Sequence, residues 1–281
     1  MKIAFWSNGY MKRDALLNFA AISIASVMRY PYTITILENY LDKDNLGKAF
    51  FTHFDKLDAR YEGSGFYEGG GIEGLLRRIY RNDSYPSLLR GYLREVIPKH
   101  LYYIPQGGII NCELFDYELY HNINKLLGLL ENNSDHCYIN ITQQNHLSSN
   151  AILQESDLIV INLFQNPNYL DNFFKNYYSL IPKALFIVGD YSPKSFMSCK
   201  RMARLYDIPL EDIIPIPYNE NFHEACKYGA AKEFLNCNFF CNIENANYIF
   251  IQGIRKAVYM IFKRIIESSG TDKKDLINCG T

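Results

Sequence analysis

The chain has 281 residues, of which 48% are hydrophobic and 21% are charged, so it is long enough to bury a sizeable core. Its formal net charge of -1 excludes a bulk attraction to nucleic acid or to an anionic membrane. The N-terminus enters a strand pattern without the apolar region of a signal peptide, and no apolar run reaches the roughly 18 residues of a spanning helix. The 7 cysteines are odd in number and irregularly spaced, which favours reduced thiols. We therefore expect a cytoplasmic protein.

Short β-rich runs alternate with longer helical patterns along the chain. Strands are predicted at residues 2–7, 32–37, 101–104, 137–142, 158–162, 184–189 and 213–216. Helices are predicted at residues 14–29, 113–130, 169–178, 193–206, 222–235 and 248–267. Because strands that alternate with helices form right-handed crossovers, the pattern predicts a doubly wound, mainly parallel sheet flanked by helices. We see no break in the pattern and predict a single α/β domain over residues 1–281.

The segment 61–74, YEGSGFYEGGGIEG, departs from this regularity because 6 of its residues are glycine. Glycine increases backbone freedom, so the segment is typical of a surface loop. A lid or a partner-binding loop is the alternative. The segment does not follow a predicted strand, and we do not interpret it as a dinucleotide-binding fingerprint.

The first strand, turn and helix have the layout of a phosphate-binding loop. In an open parallel sheet, ligands bind where the strands end and where helix N-termini present N–H groups to phosphate. A phosphate-binding loop needs several glycines, a lysine for the phosphate charge and a Ser or Thr for Mg²⁺. The turn in IAFWSNGYMKRDALL holds one glycine, Gly9.

Two further segments, ESDLIVINLFQNPNYLDNFF at 155–174 and IIPIPYNENFHEACKYGAAKEFL at 213–235, resemble MinD/ParA-type ATPases, as does the order of the elements. Within that family the chain is most similar to the TadZ/CpaE-like branch, which is found with Tad-type pilus assembly systems. The family carries a deviant Walker A loop of the form GKGGxGKTTxxxN. The resemblance therefore implies a P-loop NTPase-like fold and a nucleotide site at WSNGYMKRDALLN, anchored on Asn18.

Aligned with that loop, the chain keeps few of the residues that bind and hydrolyse nucleotide. Lys12 stands at the phosphate-binding lysine and Gly9 at a glycine, whereas Ser7 stands at the signature lysine that reaches the partner's nucleotide. The remaining positions are altered as well: Asn8 and Met11 replace glycines, and Arg13 and Asp14 replace the two threonines, one of which binds Mg²⁺.

The acidic positions of the family are also altered. After the second strand, Glu38 and Tyr40 stand where the resemblance places two carboxylates, one of them associated with the attacking water. Thr142 stands at the Walker B carboxylate, which supports the metal. Without these groups little remains to lower a phosphoryl-transfer barrier. The resemblance thus implies a pseudo-ATPase with no catalytic residues and no metal site.

Weak binding of ATP or ADP without Mg²⁺ stays open. Lys12 and Arg13 bring positive charge to a helix N-terminus, although both are more typical of solvated first-turn residues. The resemblance places Pro217 and Asn219 near the base of the nucleotide, and the alternative for this pair is a turn followed by an Asn helix cap. No other cofactor is expected.

The implied role is that of a positioning or assembly factor acting through protein contacts, for a Tad-like pilus or secretion system. Its partners would be a second copy of the chain or an active paralogue, in a homodimer or a heterodimer. The alternatives are a slow ATPase and a ParA-like DNA-partition module. Nucleic acid is disfavoured by the neutral charge, and an arginine patch at 77–94 is more typical of a solvated helix face.

Two other patterns are weighed against ordinary packing. His223, Cys226, Cys237 and Cys241 have spacings that a zinc site could use, but buried thiols explain them better. The helix at 248–267 is amphipathic, which predicts core packing; a weak or indirect membrane contact is the alternative.

Overall fold

In the computed structural model of the chain, residues 1–7, 12–42, 45–52, 70–81, 88–107, 111–141 and 146–269 are described, with the backbone alone at 12–14, 146 and 269. The strands are β1 (Lys2–Trp6), β2 (Ile34–Glu38), β3 (Arg94–Ile97), β4 (Leu101–Tyr103), β5 (His136–Ile141), β6 (Leu158–Leu163), β7 (Ala184–Val188) and β8 (Ile213–Pro215). The first helices are α1 (Lys12–Arg29), α2 (Gly47–Phe50), α3 (Gly71–Tyr80), α4 (Cys112–Glu131) and α5 (His146–Glu155). The others are α6 (Pro167–Asn176), α7 (Cys199–Tyr206), α8 (Glu220–Lys227), α9 (Ala231–Asn238) and α10 (Tyr248–Ser269).

The strands form one eight-stranded sheet in the order β3-β4-β2-β5-β1-β6-β7-β8. Every neighbouring pair is parallel except β3 and β4, which pair antiparallel with an irregular register between Glu95 and Ile97. The doubly wound, mainly parallel sheet that the sequence predicts is therefore confirmed. The β3 strand was not predicted, because a short edge strand with two charged residues lacks the apolar run of the buried strands.

Both faces of the sheet are covered, as the apolar strands require. Alternate residues of β1 point to opposite faces: Ile3 and Phe5 enter one buried cluster, and Ala4 and Trp6 enter the other. The first cluster packs under α1, α9 and α10, and the second packs under α3, α4, α6 and α7. The position of α1 in this layering brings its N-terminus to the end of the central strand β1.

Three predicted segments differ from the structure. The predicted helix at 222–235 is two helices, because Gly229 between them adopts φ +69° and approaches the Phe51 backbone more closely than a Cβ atom would allow. The predicted helix at 193–206 begins only at Cys199, where Ser198 caps it. Of the glycine-rich segment, residues 61–69 lie outside the described residues, and Gly71 to Gly74 open α3.

The helix α10 packs on the sheet, as its amphipathic pattern predicts. Phe250, Ile254, Val258 and Phe262 are buried in the first cluster, whereas Ile249 is 68% exposed. Among the described residues, none of the helices has the length and apolarity needed to cross a membrane.

Candidate functional site

The carboxyl edge of the parallel strands gathers most of the residues that the sequence nominates. Ser7 follows β1 directly, Glu38 is the last residue of β2, and Pro217 and Asn219 lie between β8 and α8. The backbone of Lys12, Arg13 and Asp14 forms the first turn of the 18-residue helix α1. The side chains of those three residues, and all of Asn8, Gly9, Met11 and Thr142, lie outside what the structure describes.

The edge holds these residues in three separated groups. Adjacent strands are about 4.8 Å apart, so the two strand spacings from β1 to β2 correspond to roughly 10 Å. The three spacings from β1 to β8 correspond to roughly 14 Å. Ser7 and the α1 N-terminus therefore lie centrally, with Glu38 on one side and Pro217 and Asn219 on the other.

Glu38 is the best-defined polar group of the site, and its carboxyl group is saturated with donors. Its Oε1 accepts from the Tyr40 hydroxyl at 2.8 Å and from the Leu46 N–H at 3.1 Å. Its Oε2 accepts from the Tyr103 hydroxyl at 2.6 Å and again faces Leu46 N at 3.3 Å. Asn140 Nδ2 donates to the Tyr40 hydroxyl at 2.8 Å, which fixes that hydroxyl from its other side. The side chain is 2% exposed.

Burial also sets the protonation of this network. Burial raises the pKa of Glu38 above its ordinary value, and the hydrogen bonds from Tyr103, Tyr40 and Leu46 oppose that rise. Burial and the neighbouring Glu38 raise the pKa values of Tyr40 and Tyr103 well above the ordinary tyrosine value. Both tyrosines therefore remain protonated donors at neutral pH.

These contacts decide what Glu38 can do chemically. A carboxylate that supports a metal or orients water needs a free lone pair facing the ligand. Both oxygens of Glu38 are instead occupied by protein donors, and Tyr40 beside it offers no carboxylate. Glu38 does not fit a metal-supporting or water-orienting role and acts as a buried anchor for Tyr40, Leu46 and Tyr103.

A second polar cluster lies between α1 and the sheet, and it joins Asn18, the anchor of the resemblance, to Asn162, which the sequence did not nominate. Asn18 Nδ2 donates to Asn162 Oδ1 of β6 at 3.0 Å, and both side chains are buried. A Cβ atom on Gly189 would stand 2.9 Å from Asn18 Nδ2, so a larger residue there would require the amide pair to shift. The Nδ2 of Asn162 is buried and has no acceptor among the described residues. An asparagine within an apolar strand was the available signal.

The α1 N-terminus fits an anion better than a metal. The first N–H groups of a long helix are unpaired and carry partial positive charge. The sequence places two cations, Lys12 and Arg13, in the same turn. The backbone of this helix N-terminus thus fits an anion such as a phosphate group, while the Glu38 side does not fit a metal.

At the far end of the edge, Asn219 is occupied by a helix cap. Its Oδ1 accepts from Phe222 N at 2.7 Å at the start of α8, and its Nδ2 donates to Asn247 Oδ1 at 3.0 Å. This is the cap that the sequence left as an alternative. Pro217, partly buried just before it, makes no contact that assigns it a ligand.

The other weighed patterns form no site in the described residues. No group of three or more His, Cys, Asp or Glu side chains there could hold a metal ion. Cys226 is buried in the core, and His223 Nδ1 is 2.6 Å from the Tyr218 hydroxyl. Arg78 and Arg94 of the arginine segment are partly buried rather than fully solvated. The six described cysteines are free thiols.

Comparison with known proteins gives matches in structure alone. No protein-family model and no curated protein matches the sequence. A ParA family ATPase from Chlorobium tepidum TLS superposes with a TM-score of 0.68 at 12% identity, covering 92% of this chain and 98% of that chain. MinD complexed with Mg-ADP from Pyrococcus horikoshii OT3 gives 0.63 at 13% identity, covering 93% and 96%.

The MinC:MinD cell division protein complex of Aquifex aeolicus gives a TM-score of 0.60 at 11% identity, covering 93% of this chain and 96% of that chain. At sequence identities of 11–13%, these structural matches show a shared fold and nothing more. The chain has the fold of the MinD- and ParA-type P-loop ATPases.

Proposed function

We propose that the chain is a MinD/ParA-type protein that has lost ATP hydrolysis and acts as a positioning or assembly factor. The observation that carries this proposal is the saturated carboxyl group of Glu38. The position that would orient water in a working ATPase is Tyr40, and its hydroxyl is used between Glu38 and Asn140. An inward-held hydroxyl with a raised pKa cannot accept the proton of an attacking water.

The sequence supports the same conclusion at the remaining positions. Ser7 replaces the signature lysine, Arg13 and Asp14 replace the threonine pair, and Thr142 replaces the Walker B carboxylate. Phosphoryl transfer depends on charge stabilisation and positioning, which these groups supply in the family that the chain resembles. Their joint loss removes the metal and the trans cation together.

Nucleotide binding is proposed to survive in a weak, metal-independent form. The α1 N-terminus with Lys12 and Arg13 would hold phosphate, and Pro217 would lie towards the base. The Asn219 amide caps α8 and bonds Asn247, so it has no free group for the base. A nucleotide held in this way gains no stabilisation from Mg²⁺.

Protein contacts would carry the function. We place the chain in the TadZ/CpaE-like branch, with a role in a Tad-like pilus or secretion system, as a homodimer or as a heterodimer with an active paralogue. The MinD of Aquifex aeolicus, which shares this fold, is found in complex with MinC. Without the signature lysine at Ser7, dimerisation should not depend on nucleotide.

Isothermal titration calorimetry with ATP, with and without Mg²⁺, tests the nucleotide site. We expect weak binding that Mg²⁺ leaves unchanged and that Lys12→Ala abolishes. The matched control is Lys175→Ala, an exposed lysine on α6. Binding that tightens tenfold or more with Mg²⁺ would contradict the proposed site.

Light scattering after size-exclusion chromatography tests the assembly. The proposal predicts the same mass with and without ATP. A dimer that forms only with ATP and Mg²⁺ would overturn it.

A further inference from the structure

A cleft on the outer side of α10 carries three cations that no carboxylate of the described chain neutralises. The cleft has a volume of about 720 Å³ and is lined by Arg29, Tyr248, Ile249, Arg255, Lys256 and Tyr259 among others. It runs along α10 from Pro215, the last residue of β8, to Arg29 at the end of α1. The chain as a whole carries a formal net charge of -1, so the positive cleft is a local feature.

Two of these cations contact aromatic rings, and the third has no ion pair among the described residues. The Arg29 guanidinium lies 5.7 Å from the centre of the Tyr30 ring, and that of Arg255 lies 5.8 Å from the Phe239 ring. The Nε of Arg29 is buried and has no hydrogen-bond partner. Lys256 is exposed, and no ion pair among the described residues includes it.

The next turns of the same helix behave differently. Arg264 pairs with Asp212 at 2.5 Å, and Lys263 lies 3.7 Å from Glu211. Cations of α10 that face the start of β8 therefore have carboxylate partners within the chain. The cleft cations have no such partner, so they are available to a carboxylate from outside the described residues.

The cleft also offers apolar contact. Ile249 is 68% exposed and Tyr259 is 40% exposed, on either side of the exposed Lys256. An isolated exposed apolar residue needs no explanation, but here two flank a row of unneutralised cations within one concavity. Such a surface fits a segment that carries both carboxylates and an apolar side chain.

We propose that this cleft docks an acidic segment of a partner protein, with an apolar anchor against Ile249 and carboxylates on Arg255, Lys256 and Arg29. This deepens the proposed function and rests on it, because it identifies a surface for the protein contacts. A peptide is favoured over an anionic bilayer by the shape. Arg29 and Arg255 are partly buried inside the concavity, where a chain segment can reach them and a flat surface meets Lys256 alone.

Fluorescence polarisation of a labelled peptide of repeating Glu-Leu-Glu-Glu units, added to the full chain at low salt, tests this docking. We expect binding that weakens as salt screens the charges. Lys256→Glu should weaken it about tenfold, since an attractive pair becomes repulsive. Ile249→Ser should weaken it several-fold, and Lys175→Glu, a matched reversal on another helix, should leave it unchanged.

Several results would overturn the docking proposal. These are no binding by the wild-type chain, equal loss in Lys175→Glu, or full binding by Lys256→Glu. Vesicles of phosphatidylglycerol form the second arm. Binding to vesicles that Lys256→Glu abolishes, without binding to the peptide, would assign the cleft to a membrane and refute the proposal. The assay contains no nucleotide, so failure here is distinct from detection of ATPase activity, which would refute the proposed function.

Discussion

The hydroxyl of Tyr40 links Glu38 to Asn140, and its removal should lower the free energy of unfolding. Tyr40→Phe deletes the hydrogen bond to Glu38 Oε1 and the one from Asn140 Nδ2, both 2.8 Å long. Each such bond contributes about 1 kcal/mol net, and its loss leaves a buried partner unsatisfied. We therefore expect the free energy of unfolding to fall by about 2 kcal/mol.

Urea denaturation followed by the fluorescence of Trp6, the single tryptophan, measures this change. The side chain of Trp6 is 4% exposed, so unfolding changes its surroundings strongly. Tyr80→Phe is the matched control, because Tyr80 is 75% exposed and should tolerate the change within about 0.5 kcal/mol. A loss below about 0.5 kcal/mol for Tyr40→Phe would refute the saturated network.

Two further predictions concern stability. Burial lowers the pKa of His136 from 6.5 to about 4, so the unfolded chain binds more protons between these values and stability falls as the pH falls through them. Between neutral pH and pH 4, this group lowers the free energy of unfolding by about 3 kcal/mol. His136→Phe should remove that part of the pH dependence measured by urea unfolding. The same dependence of the free energy of unfolding on pH in the variant would contradict this assignment. Gly229→Ala should cost about 3 kcal/mol or more, given its positive φ and the Phe51 backbone. Gly128→Ala, in open space on α4, should be neutral or stabilising in the same urea unfolding assay, and equal losses for the two variants would argue against this reason.

The sequence predicted the buried part of the fold well. The strands β1, β6 and β7 are mostly apolar runs bounded by polar residues, because parallel strands are covered on both faces. Four of the described elements were missed: β3 is short and charged, α3 begins among glycines that lower helix propensity, and the helices α2 and α5 were not predicted. The break at Gly229 depends on a tertiary contact with Phe51, which no local pattern reveals.

The sequence predicted the position of the candidate site but not the hydrogen bonds that its side chains make. Glu38 was nominated from its position after β2, and it lies there. Its saturation depends on Tyr103, far along the chain, and on Leu46, whose backbone carries no sequence signal. The pair of Asn18 and Asn162 likewise joins residues from distant parts of the chain. Long-range hydrogen bonds of this kind decide the chemistry of the site, and only the fold brings them together.

The proposed loss of ATP hydrolysis is tested by the steady-state release of phosphate from ATP by the purified full chain with Mg²⁺, measured beside a Lys12→Ala variant. We expect no release above the background of that variant. Release at a rate that Lys12→Ala abolishes would contradict the proposal, because it would show that this site transfers phosphate.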